Sequence, residues 1–107
     1  MPISEVSVDE LESALAAGAR VIDVREVDEY TEGHVPGAVL VVLGTVPEHV
    51  DTFRGDDVPY VICRSGARSM RACEFLAGQG VEAVNVAGGT MAWAMAGKPV
   101  VAGDQPT

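Results

Sequence analysis

The sequence predicts an α/β fold of three layers, with a short, mostly parallel central sheet and helices on both faces. Two observations predict it. Short apolar runs (Val21–Val24, Val39–Leu43, Tyr60–Ile62 and Val81–Val86) alternate with stretches of helical pattern. Those runs are mostly apolar rather than alternating, as strands covered on both faces are. At 107 residues the chain is expected to form one domain over 1–107, with a core at about 3–97 and an extended C-terminal tail at 98–107.

Each element has a local cause. Ser7 is placed to cap a first helix, and Glu10, three residues on, completes a capping box. Leu11, Ala14 and Leu15 give that helix an apolar stripe, and Gly18 ends it. Val21–Val24 reads as a buried strand, and Val27–Glu32 as a short helix closed by Gly33. The turn Pro36-Gly37 sets up the strand Val39–Leu43, followed by one helical piece over about Val46–Phe53. After the polar turn Arg54–Asp57 comes the strand Tyr60–Ile62, then a helix from the Cys63 loop to about Ala77. A strand at Val81–Val86, the pair Gly88-Gly89 and a helix at about Thr90–Ala96 complete the pattern. The tail from Lys98 onward reads as extended and frayed at its end.

Composition excludes several function classes. The chain is 48% hydrophobic and 21% charged, which suits a soluble globular domain rather than a disordered one. A net charge of −9 argues against nucleic acid and against anionic membrane surfaces. No apolar stretch approaches a membrane span, and Met1–Glu5 lacks the features of a signal peptide. Two cysteines ten residues apart make neither a disulfide framework nor a zinc site. A reducing, cytoplasmic setting with no metal and no cofactor is the simplest expectation.

The segment Val61–Arg71 carries the functional signal. A β-branched run ends at Cys63, a glycine-bearing loop follows, and a helix begins. Backbone N–H groups of such a loop converge on an anion at the cysteine and stabilise a thiolate, which is the nucleophilic form. The chain holds 16 acids against 7 bases, yet between Asp57 and Glu74 lie three arginines and no acid. Cys63 is therefore the candidate nucleophile. Ser65, Gly66, Ala67 and Ser69 are expected to act through backbone N–H groups, their hydroxyls being optional. Cys73 falls on a helix stripe with Met70 and Leu76, which is core packing.

Three stretches resemble one family. Val21–Glu26 with Tyr30 and Gly33–Ala38 looks like the N-terminal signature of a single-domain rhodanese, a fold that carries sulfur on a loop cysteine. Cys63–Ser69 looks like the active loop of that family, and Val86–Trp93 like its C-terminal signature; together they cover about residues 20–97. The resemblance implies a thiosulfate-type sulfurtransferase that passes through a persulfide on Cys63. From Cys63 through Arg68 the loop has six residues, the length associated in this family with sulfur transfer. The phosphatases of the same fold have one residue more, so a phosphatase or arsenate-handling role is disfavoured.

The resemblance also assigns roles. Arg64 meets the charged end of a small anionic donor. Arg68 either contacts the anion or braces the loop against backbone carbonyls or Asp23. The acceptor is a thiol or a cyanide-like nucleophile, a protein thiol included. Asp23, Arg25 and His34 suggest a triad but are expected to tie the strand end to its neighbouring loops, because an ionised thiol needs no general base. Arg71 and His49 read as surface residues, Gly88-Gly89 as a tight turn and Trp93 as core. The alternative is a protein-to-protein sulfur carrier with little turnover of free thiosulfate.

Overall fold

The computed structural model describes residues 2–107. Five parallel strands form one sheet: β1 (Glu5–Val6), β2 (Val21–Asp23), β3 (Val39–Leu40), β4 (Tyr60–Ile62) and β5 (Val84–Val86). Their spatial order is β1-β5-β4-β2-β3, which leaves β4 in the centre. Helices α1 (Val8–Ala16), α2 (Val27–Glu32) and α5 (Gly89–Met95) contribute Leu11, Tyr30 and Trp93 to one core cluster, with Val21, Ile62 and Val86 of the sheet. Helices α3 (Val50–Phe53) and α4 (Ala67–Gly78) contribute Phe53, Ala72 and Leu76 to the other, with Ile22 and Val61. Neighbouring strand residues thus enter opposite clusters, as the two-residue pleat requires. Each fully buried aliphatic or aromatic side chain contributes about 1.5–3 kcal/mol.

Local signals set the helix ends. The Ser7 hydroxyl accepts from the Glu10 N–H at 3.1 Å, and the Glu10 carboxylate accepts from the Ser7 N–H at 3.1 Å. Helix α2 covers the expected Val27–Glu32.

Four expectations are corrected. The strand at Val39–Leu43 stops at Leu40, because the chain turns into a 3-10 helix at Leu43–Glu48. The single helical piece at Val46–Phe53 is instead that 3-10 helix followed by α3, with His49 between them at φ −126°. Pro47 has no N–H for a continuous α-helical ladder, and the His49 N–H bonds back to the Val46 carbonyl. The strand at Val81–Val86 begins only at Val84, because the Val81 N–H is engaged by the Leu76 carbonyl at the end of α4. The tail is docked rather than frayed: Val101 exchanges both backbone bonds with His34, Gly103 N–H bonds Thr31, and the Pro106 carbonyl accepts from Gly37. Strand β1, two residues long, has no counterpart among the elements expected from the sequence.

Candidate active site

Cys63 leaves the carboxyl end of β4, the central strand, where open α/β sheets place their ligands. The residue is 1% exposed, and the chain turns directly above it into α4. Gly66 makes that turn at φ +107°, a backbone region that disfavours any residue with a Cβ. Its N–H donates to Cys63 Sγ at 3.1 Å, and the Ser69 hydroxyl lies 3.3 Å from the same sulfur.

These donors decide the ionisation of the thiol. Burial raises the Cys63 pKa and is the largest single influence. The Ser69 hydroxyl and the N–H groups of Ser69, Gly66 and Ser65 together outweigh it, so the thiol is more acidic than usual. Cys73 is buried on α4 without such donors, and desolvation pushes it up to about 12. The two cysteines differ in environment as the sequence suggests.

The loop is held from below by α5. The Cys63 carbonyl accepts from the Thr90 N–H at 2.8 Å and from the Thr90 hydroxyl at 3.0 Å. The Arg64 carbonyl accepts from the Met91 N–H at 3.0 Å. This approach is so close that a Cβ on Gly89 would sit 2.4 Å from the Arg64 carbonyl oxygen. Gly89 is also left-handed, at φ +61°. Gly89 therefore serves loop packing, and the Thr90 and Met91 N–H groups in the first turn of α5 are already spent on loop carbonyls.

Of the three arginines around the loop, one is paired among the described residues. Arg68 makes a bidentate ion pair with Glu29 of α2, at 2.7 and 2.8 Å. That bond pulls the Glu29 pKa down to about 2. Asp23, the carboxylate weighed as a partner for Arg68, is taken by Arg25 at 2.8 Å, both side chains being buried. Arg64 is exposed, with no side-chain hydrogen bond or ion pair among the described residues, and Ser65 and Ala67 are exposed beside it. Arg71 and His49 lie on the surface. His34 is fully buried, with Nδ1 2.8 Å from the Tyr30 carbonyl and Nε2 2.8 Å from that of Gln105. Both ring nitrogens face backbone, so His34 ties the tail to the domain. Trp93 is buried and donates from Nε1 to the Pro99 carbonyl at 2.7 Å.

Three participants escaped the sequence reading. The Ser69 hydroxyl, set aside as optional, contacts the sulfur. It also bonds Asn85 Oδ1 on β5, and Asn85 Nδ2 reaches Glu5 on β1 at 2.8 Å. Glu29 is the third, through Arg68. Asn85 had a visible signal: an amide in the middle of the apolar run Val84-Asn85-Val86.

A model of the family described as "Rhodanese-like domain" matches residues 7–96. The chain belongs to that family. It is 44% identical over 101 residues to the "Putative sulfurtransferase YtwF" of Bacillus subtilis (strain 168), covering 92% of this chain and 98% of that protein. It is 35% identical to a "Sulfurtransferase" of Allochromatium vinosum, over 94% and 96% of the two chains. The crystal structure of a rhodanese-related protein from Thermoplasma volcanium superposes with a TM-score of 0.84 at 32% identity, covering 92% and 97%. Relatives named in this way support sulfur transfer as the general chemistry of this rhodanese domain, and the cysteine cradle is suited to it.

Proposed function

We propose that this rhodanese domain is a thiosulfate-type sulfurtransferase working by double displacement through Cys63. The Cys63 thiolate attacks the outer sulfur of thiosulfate. A new S–S bond forms at Sγ, the S–S bond of thiosulfate breaks, and sulfite leaves with its electron pair. The persulfide anion that remains is stabilised by the N–H groups of Ser65, Gly66 and Ser69. A nucleophilic acceptor, cyanide or a thiolate, then takes the outer sulfur and restores the Cys63 thiolate. Neither half-reaction as written calls for a metal or an organic cofactor.

The observation that carries this reading is the set of donors converging on one sulfur, with Gly66 N–H at 3.1 Å and Ser69 Oγ at 3.3 Å. Arg64, exposed and unpaired among the described residues, is the group available for the sulfonate end of the donor. Arg68 is committed to Glu29 and braces the loop, which favours bracing over anion contact for that residue.

Turnover assays with thiosulfate and cyanide, run beside an aryl phosphate, test the proposal. Thiocyanate formation without phosphate release is the expected result. Phosphate release alone would assign the loop to the other chemistry of the fold. Stoichiometric loading with negligible turnover would place the protein among protein-to-protein sulfur carriers.

A further inference from the structure

Asn85 is a fully buried amide on the central part of the sheet, where an unpaired polar group is costly. It is fully engaged. Nδ2 donates to Glu5 Oε2 at 2.8 Å and to the Gly66 carbonyl at 3.2 Å, and Oδ1 accepts from the Ser69 hydroxyl. Glu5 stands directly opposite Asn85 in the β1–β5 ladder, so the two side chains share a face by register. A carboxylate and a carbonyl on one side can only accept, which fixes that side of the amide as the NH₂ group.

The Ser69 hydroxyl has one proton and two acceptors, Asn85 Oδ1 and Cys63 Sγ. A Cys63 thiol can direct its own proton to Ser69 Oγ while the hydroxyl proton stays on Asn85. A thiolate, being charged, is the stronger acceptor and draws the hydroxyl proton to itself.

We propose that Asn85, held in orientation by Glu5, is a positioning residue that competes with Cys63 for the Ser69 proton and so sets how basic the reacting sulfur is. The competition keeps the thiolate from being stabilised too far. A thiolate of lower pKa is also a weaker nucleophile. The inference rests on Cys63 being the sulfur-bearing residue. Arg68, paired to Glu29, and the buried Cys73 act electrostatically with Cys63, and Glu5 brings a negative charge to the same network through Asn85. Arg64 is its exposed chain neighbour.

The test is the pH dependence of Cys63 alkylation by iodoacetamide, followed by peptide mass. That readout needs no sulfur chemistry, so it stands even if thiosulfate fails to load the protein. Asn85→Ala should lower the alkylation midpoint by about half a unit to one unit, the scale of one hydrogen bond. It should also slow alkylation at high pH by about twofold. In a Ser69→Ala background the same change should have no effect, because Asn85 acts through the hydroxyl. Glu5 is exposed at the end strand of the sheet, so its variants are expected to fold. Glu5→Ala should shift the midpoint in the same direction as Asn85→Ala, and Glu5→Gln, which keeps an acceptor, should restore the original profile. An unmoved or raised midpoint in Asn85→Ala, or an equal shift with and without Ser69, overturns the role of Asn85. Equal shifts in Glu5→Ala and Glu5→Gln would show that Glu5 acts by charge alone, and overturn its part.

Discussion

Cys63 and Cys73 lie on the same face of the sheet, and their chemistry is separated by what surrounds each sulfur. Donors from the loop and from Ser69 favour the anion at Cys63, whereas Cys73 meets only desolvation and neighbouring negative charge. Cys63→Ser should therefore abolish sulfur loading and leave the fold intact, since a hydroxyl is nearly isosteric and far less acidic. Cys73→Ser should keep loading and lose about 1–2 kcal/mol of stability, read from denaturant midpoints, because a buried hydroxyl gains no good partner there. Comparable loss of turnover in both folded variants would reverse these assignments. Arg64 gives a second contrast. With its side chain exposed, Arg64→Ala should raise KM for thiosulfate and leave kcat/KM for a neutral acceptor nearly unchanged. Equal losses on both half-reactions would mean that Arg64 supports the thiolate instead. At this scale the donor-rich setting of Cys63 was legible in the sequence, because a cysteine set between a β-branched run and a glycine loop, among arginines, is a local pattern that stabilises a thiolate. The fate of Arg68 was not: Glu29 lies 39 positions away, and no local pattern links the two.

Between elements, the Arg68–Glu29 pair joins α4 to α2 beside the loop. Glu29 has a folded pKa of about 2, depressed from 4.5. Its contribution to stability is thus complete above about pH 4.5 and is lost as the pH falls toward 2. The pair is partly exposed, so its worth is discounted to about 1 kcal/mol. Urea titrations of the parent and Glu29→Gln should differ by that amount at neutral pH and converge as the pH falls through this window. A difference that persists at the acid end would mean the pair is not what Glu29 contributes. The capped helices and the strand Tyr60–Ile62 were legible, because caps and apolar runs are local: Ser7 with Glu10 and Gly33 after Glu32 fixed two of the helices. Strand β1 was not, since a two-residue strand has no period and its partner, Asn85, is 80 positions distant. The 3-10 helix at Leu43–Glu48 was likewise hidden, because Leu43 and Val46 alone are too few to set a period before Pro47.

Across the molecule, an acidic surface surrounds a small site built from N–H donors, the Ser69 hydroxyl and the exposed Arg64. With net charge −9, the long-range field should repel a dianionic donor, and on the proposed function the loop attracts it at short range. Salt screens the first more than the second over a Debye length of about 8–10 Å. The ratio kcat/KM for thiosulfate should therefore hold steady or rise slightly from low to moderate ionic strength, measured at constant pH with a non-binding anion. A steep monotonic fall would show that attraction reaches well into solvent. The tail, read from composition as frayed, is docked because His34, Gly37 and Thr31 offer it backbone and ring partners that composition does not reveal. The central claim, that Cys63 carries sulfur, is tested most directly by the mass of the purified protein before and after incubation with thiosulfate. A gain of one sulfur atom, located on the Cys63 peptide, removed by cyanide or reductant and absent from Cys63→Ser, is the expected result. No gain, or a gain located on Cys73, would contradict it.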